Sequence, residues 1–186
     1  MVYHQWVMIT HITLLELFKS RVRDGWAELI NRYPWEWFVT LTFITNIHPE
    51  AALKAMKHWI NLLNVELYGR RWRKKPPYGV YWAACIEYQL RGVIHLHLLM
   101  AGVQNARRLT YMDTWLNLGN KNGFARVEPV QSQTKASNYL CKYVVKDGDI
   151  YLSDNLPDVT AGFGRVWLGP TSTTEPSAAE PSAAAE

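Results

Sequence analysis

The chain has 186 residues, enough for one domain with a sizeable core. Its formal charge is +4, and setting aside Glu175, Glu180 and Glu186 of the last sixteen residues, which hold no base, raises residues 1–170 to +7. A basic body suits a polyanionic partner, and nine Trp with ten Tyr supply flat surfaces on which bases can stack. Two cysteines without metal-type spacing, no signal-peptide pattern and no apolar run of about 18 residues exclude a disulfide scaffold and a membrane span. The expected setting is cytoplasmic, with reduced thiols.

Residues 13–31 place Leu14, Leu17, Phe18, Trp26, Leu29 and Ile30 at helical spacings, predicting an amphipathic helix that Gly25 weakens. Residues 35–43 alternate aromatic and β-branched side chains, the pattern of a strand. Pro49 sits at the favoured first-turn position of a helix running to about Tyr68. Two strands follow at 79–89 and 93–100, then a short helix at 109–118, a strand at 124–130 and a long helix at 134–146. A last strand is expected at 165–168.

From Trp35 to Val130 the order is β-α-β-β-α-β. That alternation predicts an α+β fold: an antiparallel sheet with both helices on one face, the RRM or ferredoxin-like palm, followed by one more helix. The expected organisation is an N-terminal helical extension (1–34), a main domain (35–170) and a disordered tail (171–186). The tail contains EPSAAEPSAAAE and no apolar side chain larger than Ala.

Residues 86–100, IEYQLRGVIHLHLLM, carry the first chemical signal. His95 and His97 lie two apart on an apolar strand, so both imidazoles share a face. The turn at Leu90-Arg91-Gly92 ends in the Gly that a left-handed position favours. Folding there sets Gln89 opposite Val93, and therefore Glu87 opposite His95. Directly paired residues have Cβ atoms only ~4.5–5.5 Å apart. One carboxylate and two imidazoles on an apolar hairpin need a partner, and a divalent cation supplies it while leaving positions open for water or phosphate. Polar side chains facing solvent are the plainer alternative.

Residues 137–149, SNYLCKYVVKDGD, contain Tyr-x-x-Lys twice: Tyr139 with Lys142, and Tyr143 with Lys146. On a continuous helix these four occupy a stripe roughly 100° wide. Leu140, Cys141, Val144 and Val145 fall opposite and form the packing face, so the Tyr/Lys stripe is expected to look at solvent or at a ligand. A phenol is a competent nucleophile once its proton is removed or its charge offset, and a neighbouring lysine can offset it. Attack on a DNA phosphate would leave a protein–DNA ester and a free 3′-hydroxyl.

A third feature is RRWRKK at 70–75, five cations in six residues between the first palm helix and the second strand. Arg70, Arg71, Arg73, Lys74 and Lys75, with Tyr68, Trp72 and Tyr78 nearby, suit phosphate tracking and base stacking beside a site of DNA cleavage. A solvated loop is the alternative.

Taken in order, WFVTLTF (37–43), HLH (95–97) with Glu87 eight residues earlier, and YLCKYVVK (139–146) resemble the three motifs of the His-hydrophobic-His (HUH) superfamily of rolling-circle replication initiators from plasmids, phages and single-stranded DNA viruses. The likeness spans about 35–150 and is nearest the two-tyrosine type of plasmid and phage initiators. GRVWLG (164–169) resembles a looser element that follows the tyrosine helix.

The resemblance implies Mg or Mn as the ion, held by Glu87, His95 and His97. It implies Tyr139 and Tyr143 as nucleophiles, support from Lys142 and less directly Lys146, and a 5′-phosphotyrosine intermediate. The implied substrate is a single-stranded or hairpin origin. It assigns no role to Thr40 or Thr42. YVVKDGD is also similar to single-tyrosine viral initiators, which would favour Tyr143. Little chain follows residue 150, so a separate helicase and a DNA polymerase are expected partners. Two rival readings are a relaxase or single-strand transposase of the same chemistry, and a non-catalytic RRM-like nucleic-acid binder, which would carry aromatics rather than His95, His97 and Glu87 on its sheet.

Overall fold

The computed structural model describes residues 2–74, 78–89, 92–104, 106–143 and 149–158, with side chains from residue 14 onward. Its elements are α1 (Val2–Ile30), β1 (Trp37–Phe43), α2 (Pro49–Tyr68), a 3-10 turn (Trp72–Lys74), β2 (Tyr81–Tyr88), β3 (Ile94–Ala101), α3 (Arg108–Leu118), β4 (Asn122–Pro129), α4 (Gln133–Cys141) and β5 (Ile150–Leu152). The strands form one antiparallel sheet in the order β4-β1-β3-β2-β5. The first four strands have the split βαβ order that the alternation predicts.

Strand periodicity divides the side chains between the two faces. Trp37, Val39, Leu41 and Phe43 of β1 join Leu96, Leu98 and Met100 of β3 in the larger core, beneath Met56, Trp59 and Leu63 of α2 and Tyr111 and Trp115 of α3. Large aromatics fill this layer, so their polar atoms need partners. Trp59 Nε1 donates to the Tyr111 carbonyl at 2.9 Å, and Trp115 Nε1 donates to the Thr42 carbonyl at 3.2 Å. Asn64, buried in α2, accepts from the Val80 amide at 2.6 Å. Gly79 beside it has φ +83°, and a Cβ there would come within 2.4 Å of the Asn64 side-chain oxygen, so both backbone angle and space require glycine.

The opposite face bears a smaller core: Ala83 and Cys85 of β2 and Leu99 and Ala101 of β3, covered by Ala27 and Ile30 of α1 and Leu140 and Cys141 of α4. Gln133 fixes where α4 begins, because its side-chain oxygen accepts from the Trp35 amide at 3.0 Å while its nitrogen donates to the Trp35 carbonyl at 2.7 Å. Ser132 caps the helix, accepting from the Lys135 amide. This leaves the site-bearing end of the sheet next to the last turn of α4.

Three expectations change. The first helix begins near Val2 rather than residue 13, and only its last turns pack; Leu14, Leu15, Leu17 and Phe18 are exposed, because that stretch extends beyond the sheet and α4. The last helix ends at Cys141 rather than residue 146, and Lys142 and Tyr143 form a turn. A short strand, Ile150–Leu152, pairs with β2 as the fifth strand, too brief for periodicity to show. The strand expected at 165–168, the tail at 171–186 and Lys146 lie outside the described residues. Among the described residues no helix is long and apolar enough to cross a membrane.

Candidate active site

The hairpin has the register its turn residues predict. Gln89 donates its backbone N–H to the Val93 carbonyl at 3.2 Å, Gly92 has φ +77°, and Glu87 pairs with His95. Glu87, His95 and His97 therefore share the face that carries α4.

Within that face the side chains sort further. Glu87 Oε2 lies 2.9 Å from His97 Nε2, a diagonal contact across the strands. His97 Nδ1 lies 3.2 Å from Thr40 Oγ1, whose residue is its direct partner on β1. His95 Nδ1 instead meets the side-chain amide of Gln89 at 3.0 Å. Register and face are as expected, and the close carboxylate–imidazole contact is the one between Glu87 and His97. Among the described residues no group of three or more His, Cys, Asp and Glu side chains is assembled as a ready cation site.

The donors still fit a divalent ion. A separation of 2.9 Å between a carboxylate oxygen and an imidazole nitrogen is that of two neighbouring octahedral ligands each about 2.1 Å from one ion. His97 is only 4 % exposed, and burial holds its pKa below the ordinary histidine value. The hydrogen bond and charge of Glu87 oppose that shift, and the Lys142 ammonium adds to it. A neutral imidazole is the form that ligates metal. Thr40 can donate to Nδ1 or accept from it, so it tolerates either tautomer and orients the ring in both.

Both tyrosines reach this face. The Tyr143 ring lies flat on His97, with centroids 4.6 Å apart and planes 6° from parallel. Tyr139 meets His97 and Phe38 edge-on at 5.9 and 5.2 Å. The Tyr143 hydroxyl donates to the Tyr139 hydroxyl at 3.1 Å. Lys142 Nζ stands 3.6 Å from the Tyr139 ring centroid and 4.6 Å from that of Tyr143.

Here the helical-stripe expectation needs correction. Leu140 and Cys141 do pack inward, but Tyr143 is 2 % exposed whereas Tyr139 is 42 % exposed. The helix stops at Cys141, so the 100° step no longer governs Tyr143, and the turn folds its ring onto His97. Burial first, and then its hydrogen bond to Tyr139 and the charge of Glu87, push the Tyr143 phenol far above the ordinary value.

The basic run is not beside this site. Arg70, Arg71, Arg73 and Lys74 follow the C-terminal end of α2, on the larger-core face; Lys75 lies outside the described residues. Trp72 packs there, its Nε1 donating to Asn61 at 3.3 Å with the Arg73 guanidinium over its ring at 4.2 Å. Tyr68 ties the end of α2 to Gly102, close to the Tyr81–Ala101 pair at the far end of the hairpin. Six residues of strand, about 20 Å, separate that end from Glu87.

Thr40, Gln89 and Phe38 are the site residues that sequence reasoning left without a role. Only the cross-strand pairing of β1 with β3 could have drawn attention to Thr40.

Fold and site together define an α+β palm protein with its ionisable groups and two tyrosines gathered on the sheet face opposite α2 and α3. The family model for the ORF2-type replication-associated protein matches residues 36–148, more than half of the chain, and the chain belongs to that family. It is a replication-associated protein, as its resemblance to rolling-circle initiators implies. Comparison with curated proteins and with solved structures finds no match.

Proposed function

We propose that this protein initiates rolling-circle replication by nicking single-stranded origin DNA through tyrosine attack, and later rejoins the ends. The observation that carries the reading is one continuous contact set: Tyr139 and Tyr143 hydroxyls 3.1 Å apart, Lys142 over both rings, and Tyr143 stacked on the histidine that pairs with Glu87.

Tyr139 is the exposed phenol and the first nucleophile. Its oxygen forms a bond to the phosphorus as the bond from phosphorus to the 3′ oxygen breaks. The phenolic proton ends on the departing 3′-hydroxyl, and a 5′-phosphotyrosine ester remains. Tyr143 donates a hydrogen bond to the attacking oxygen, and Lys142 offsets its developing negative charge. Glu87, His97 and His95 would hold a divalent cation, Mg²⁺ or Mn²⁺, whose chemistry when bound is to polarise and orient the phosphodiester. Tyr143, whose oxygen is already within hydrogen-bonding distance of Tyr139, serves the second transfer that releases the displaced strand. The freed 3′-hydroxyl primes a DNA polymerase, and unwinding falls to a separate helicase.

The test is covalent capture. A labelled single-stranded oligonucleotide from the flanking replicon, incubated with Mg²⁺ or Mn²⁺, should migrate with the denatured protein. Tight binding without any adduct across the origin candidates would make the protein a non-catalytic binder.

A further inference from the structure

Strand β4 forms one edge of the sheet, and its register extends the site outward. Arg126 pairs with Thr40 and Thr40 with His97, so one row of side chains leads from the sheet edge to the buried histidine. The neighbouring row runs from Glu128 to Phe38. Above these rows stands the first half of α4, with Lys135 and Tyr139 one turn apart. Between them lies an open groove of about 470 Å³ lined by Phe38, Thr40, Arg126, Gln131, Lys135 and Tyr139 among others.

We propose that this groove holds the single strand on one side of the scissile phosphate, with a base against Phe38 and the adjoining phosphate between Arg126 and Lys135. The proposal rests on the nicking function above and assigns the substrate its path. Three observations favour DNA as occupant. The groove opens directly onto the Tyr139 phenol and Thr40, so whatever fills it abuts the reacting groups. Two of its walls carry cations, Arg126 from the sheet and Lys135 from the helix. Its floor includes an aromatic ring held in place by His97 (6.1 Å) and Tyr139 (5.2 Å), a surface on which any base can stack. The volume is in the range that encloses a small organic ligand, enough for about one nucleotide. A base must leave a duplex stack to reach Phe38, so the groove selects single strands.

Glu128 tunes it. Its carboxylate pairs with Arg126 at 2.8 Å on the exposed edge and also lines the groove. An incoming phosphate must share the guanidinium with this carboxylate and feels its repulsion. Removing the carboxylate's charge should therefore strengthen binding, a sign opposite to that of any damage to the groove.

The test uses the full chain carrying Tyr139→Phe, with chelator present, and a fluorescent oligonucleotide whose anisotropy is followed over a salt series. Arg126→Gln with Lys135→Gln should lower the slope of log affinity against log salt by about 1.4, at roughly 0.7 per single-strand phosphate contact. Glu128→Gln should tighten binding by about threefold, the scale of one exposed charge interaction. Lys54→Gln with Lys57→Gln, the same charge change on α2 across the sheet, should leave the slope within error. Bromodeoxyuridine crosslinks should map to the peptide containing Phe38. An unchanged slope in the Arg126/Lys135 variant, an equal fall in the Lys54/Lys57 variant, or crosslinks only elsewhere would each overturn the groove assignment. None of these readouts needs cleavage. Groove binding without an adduct on the wild-type chain refutes nicking alone, and nicking with groove-independent binding refutes the groove alone.

Discussion

Tyr143 and His97 lie face to face, 4.6 Å between ring centroids, so a candidate nucleophile and a candidate ligand form one packed unit. This couples the helix end to the sheet and leaves Tyr139 as the phenol open to substrate.

Tyr143→Phe keeps the stack but removes the hydrogen bond to Tyr139. One such bond contributes about 1 kcal/mol, so first-step nicking should slow by about five- to tenfold, with the adduct on Tyr139 and strand release impaired. Tyr139→Phe should nick more slowly still, through Tyr143, and the double variant should form no adduct. Mass spectrometry of the trapped peptide–oligonucleotide locates the ester. An adduct on Tyr143 alone in the wild type, with Tyr139→Phe fully active through strand release, would refute this division of labour.

Metal removal should abolish nicking, and Mg²⁺ or Mn²⁺ should restore it. His95→Ala should lose activity with little change in melting temperature, because His95 is not part of the Tyr143 stack. His97→Ala should lose both, since it also strips Tyr143 of its partner. Single-turnover cleavage beside a thermal melt separates the two effects. Full activity in His97→Ala would sink the ligand assignment.

Thr40→Val tests the contact to His97 Nδ1. The loss of one part-buried hydrogen bond should cost about 1 kcal/mol of stability. Loss of an orienting partner should weaken Mn²⁺ binding by about tenfold or more. Thr40→Ser should recover both. Calorimetric titration with Mn²⁺ and a denaturant melt provide the two readouts, and unchanged metal affinity in Thr40→Val would remove its positioning role.

Neutralising Arg70, Arg71, Arg73, Lys74 and Lys75 should weaken DNA binding and flatten its salt dependence, because fewer counterions are released. These residues follow α2 at the far end of the hairpin, so the cleavage rate at saturating DNA should stay near the wild-type value. A fall in that rate would place the basic run in the reaction after all.

Alkali should destabilise the fold from about pH 9 upward. Burial pushes the Cys141 thiol from 9.0 to about 12 and raises Cys85 as well. Below the ordinary thiol value both states keep their protons and stability is unaffected. Above it the unfolded chain releases protons that the folded chain retains, so stability falls until the folded thiols also ionise. Each thiol contributes up to about 1.4 kcal/mol per pH unit in that window. Denaturant melts at pH 8 and pH 10.5 should differ less in the Cys85→Ala, Cys141→Ala double variant. An identical pH slope in both proteins would contradict the assignment.

Much of this molecule is determined by short-range sequence. Alternation in 37–43 and 93–100 selects strands and assigns faces, Gly92 sets the turn, and the turn sets Glu87 against His95. The order of the palm elements and the three motifs follow from the same local signals. Other features belong to the tertiary structure alone. Thr40 meets His97 across 57 positions of chain, through a β1–β3 pairing that no periodicity announces. Tyr143 is buried because packing onto His97 competes with one more helical turn after Cys141, and a helical wheel assumes the helix continues. The cations at 70–74 look adjacent to the site in sequence order, yet a strand carries the chain about 20 Å along the sheet before Glu87 is reached. Periodicity within an element reports which face a side chain takes; which groups meet on that face is decided by strand register and by where helices stop, and both are set by the packing of distant segments.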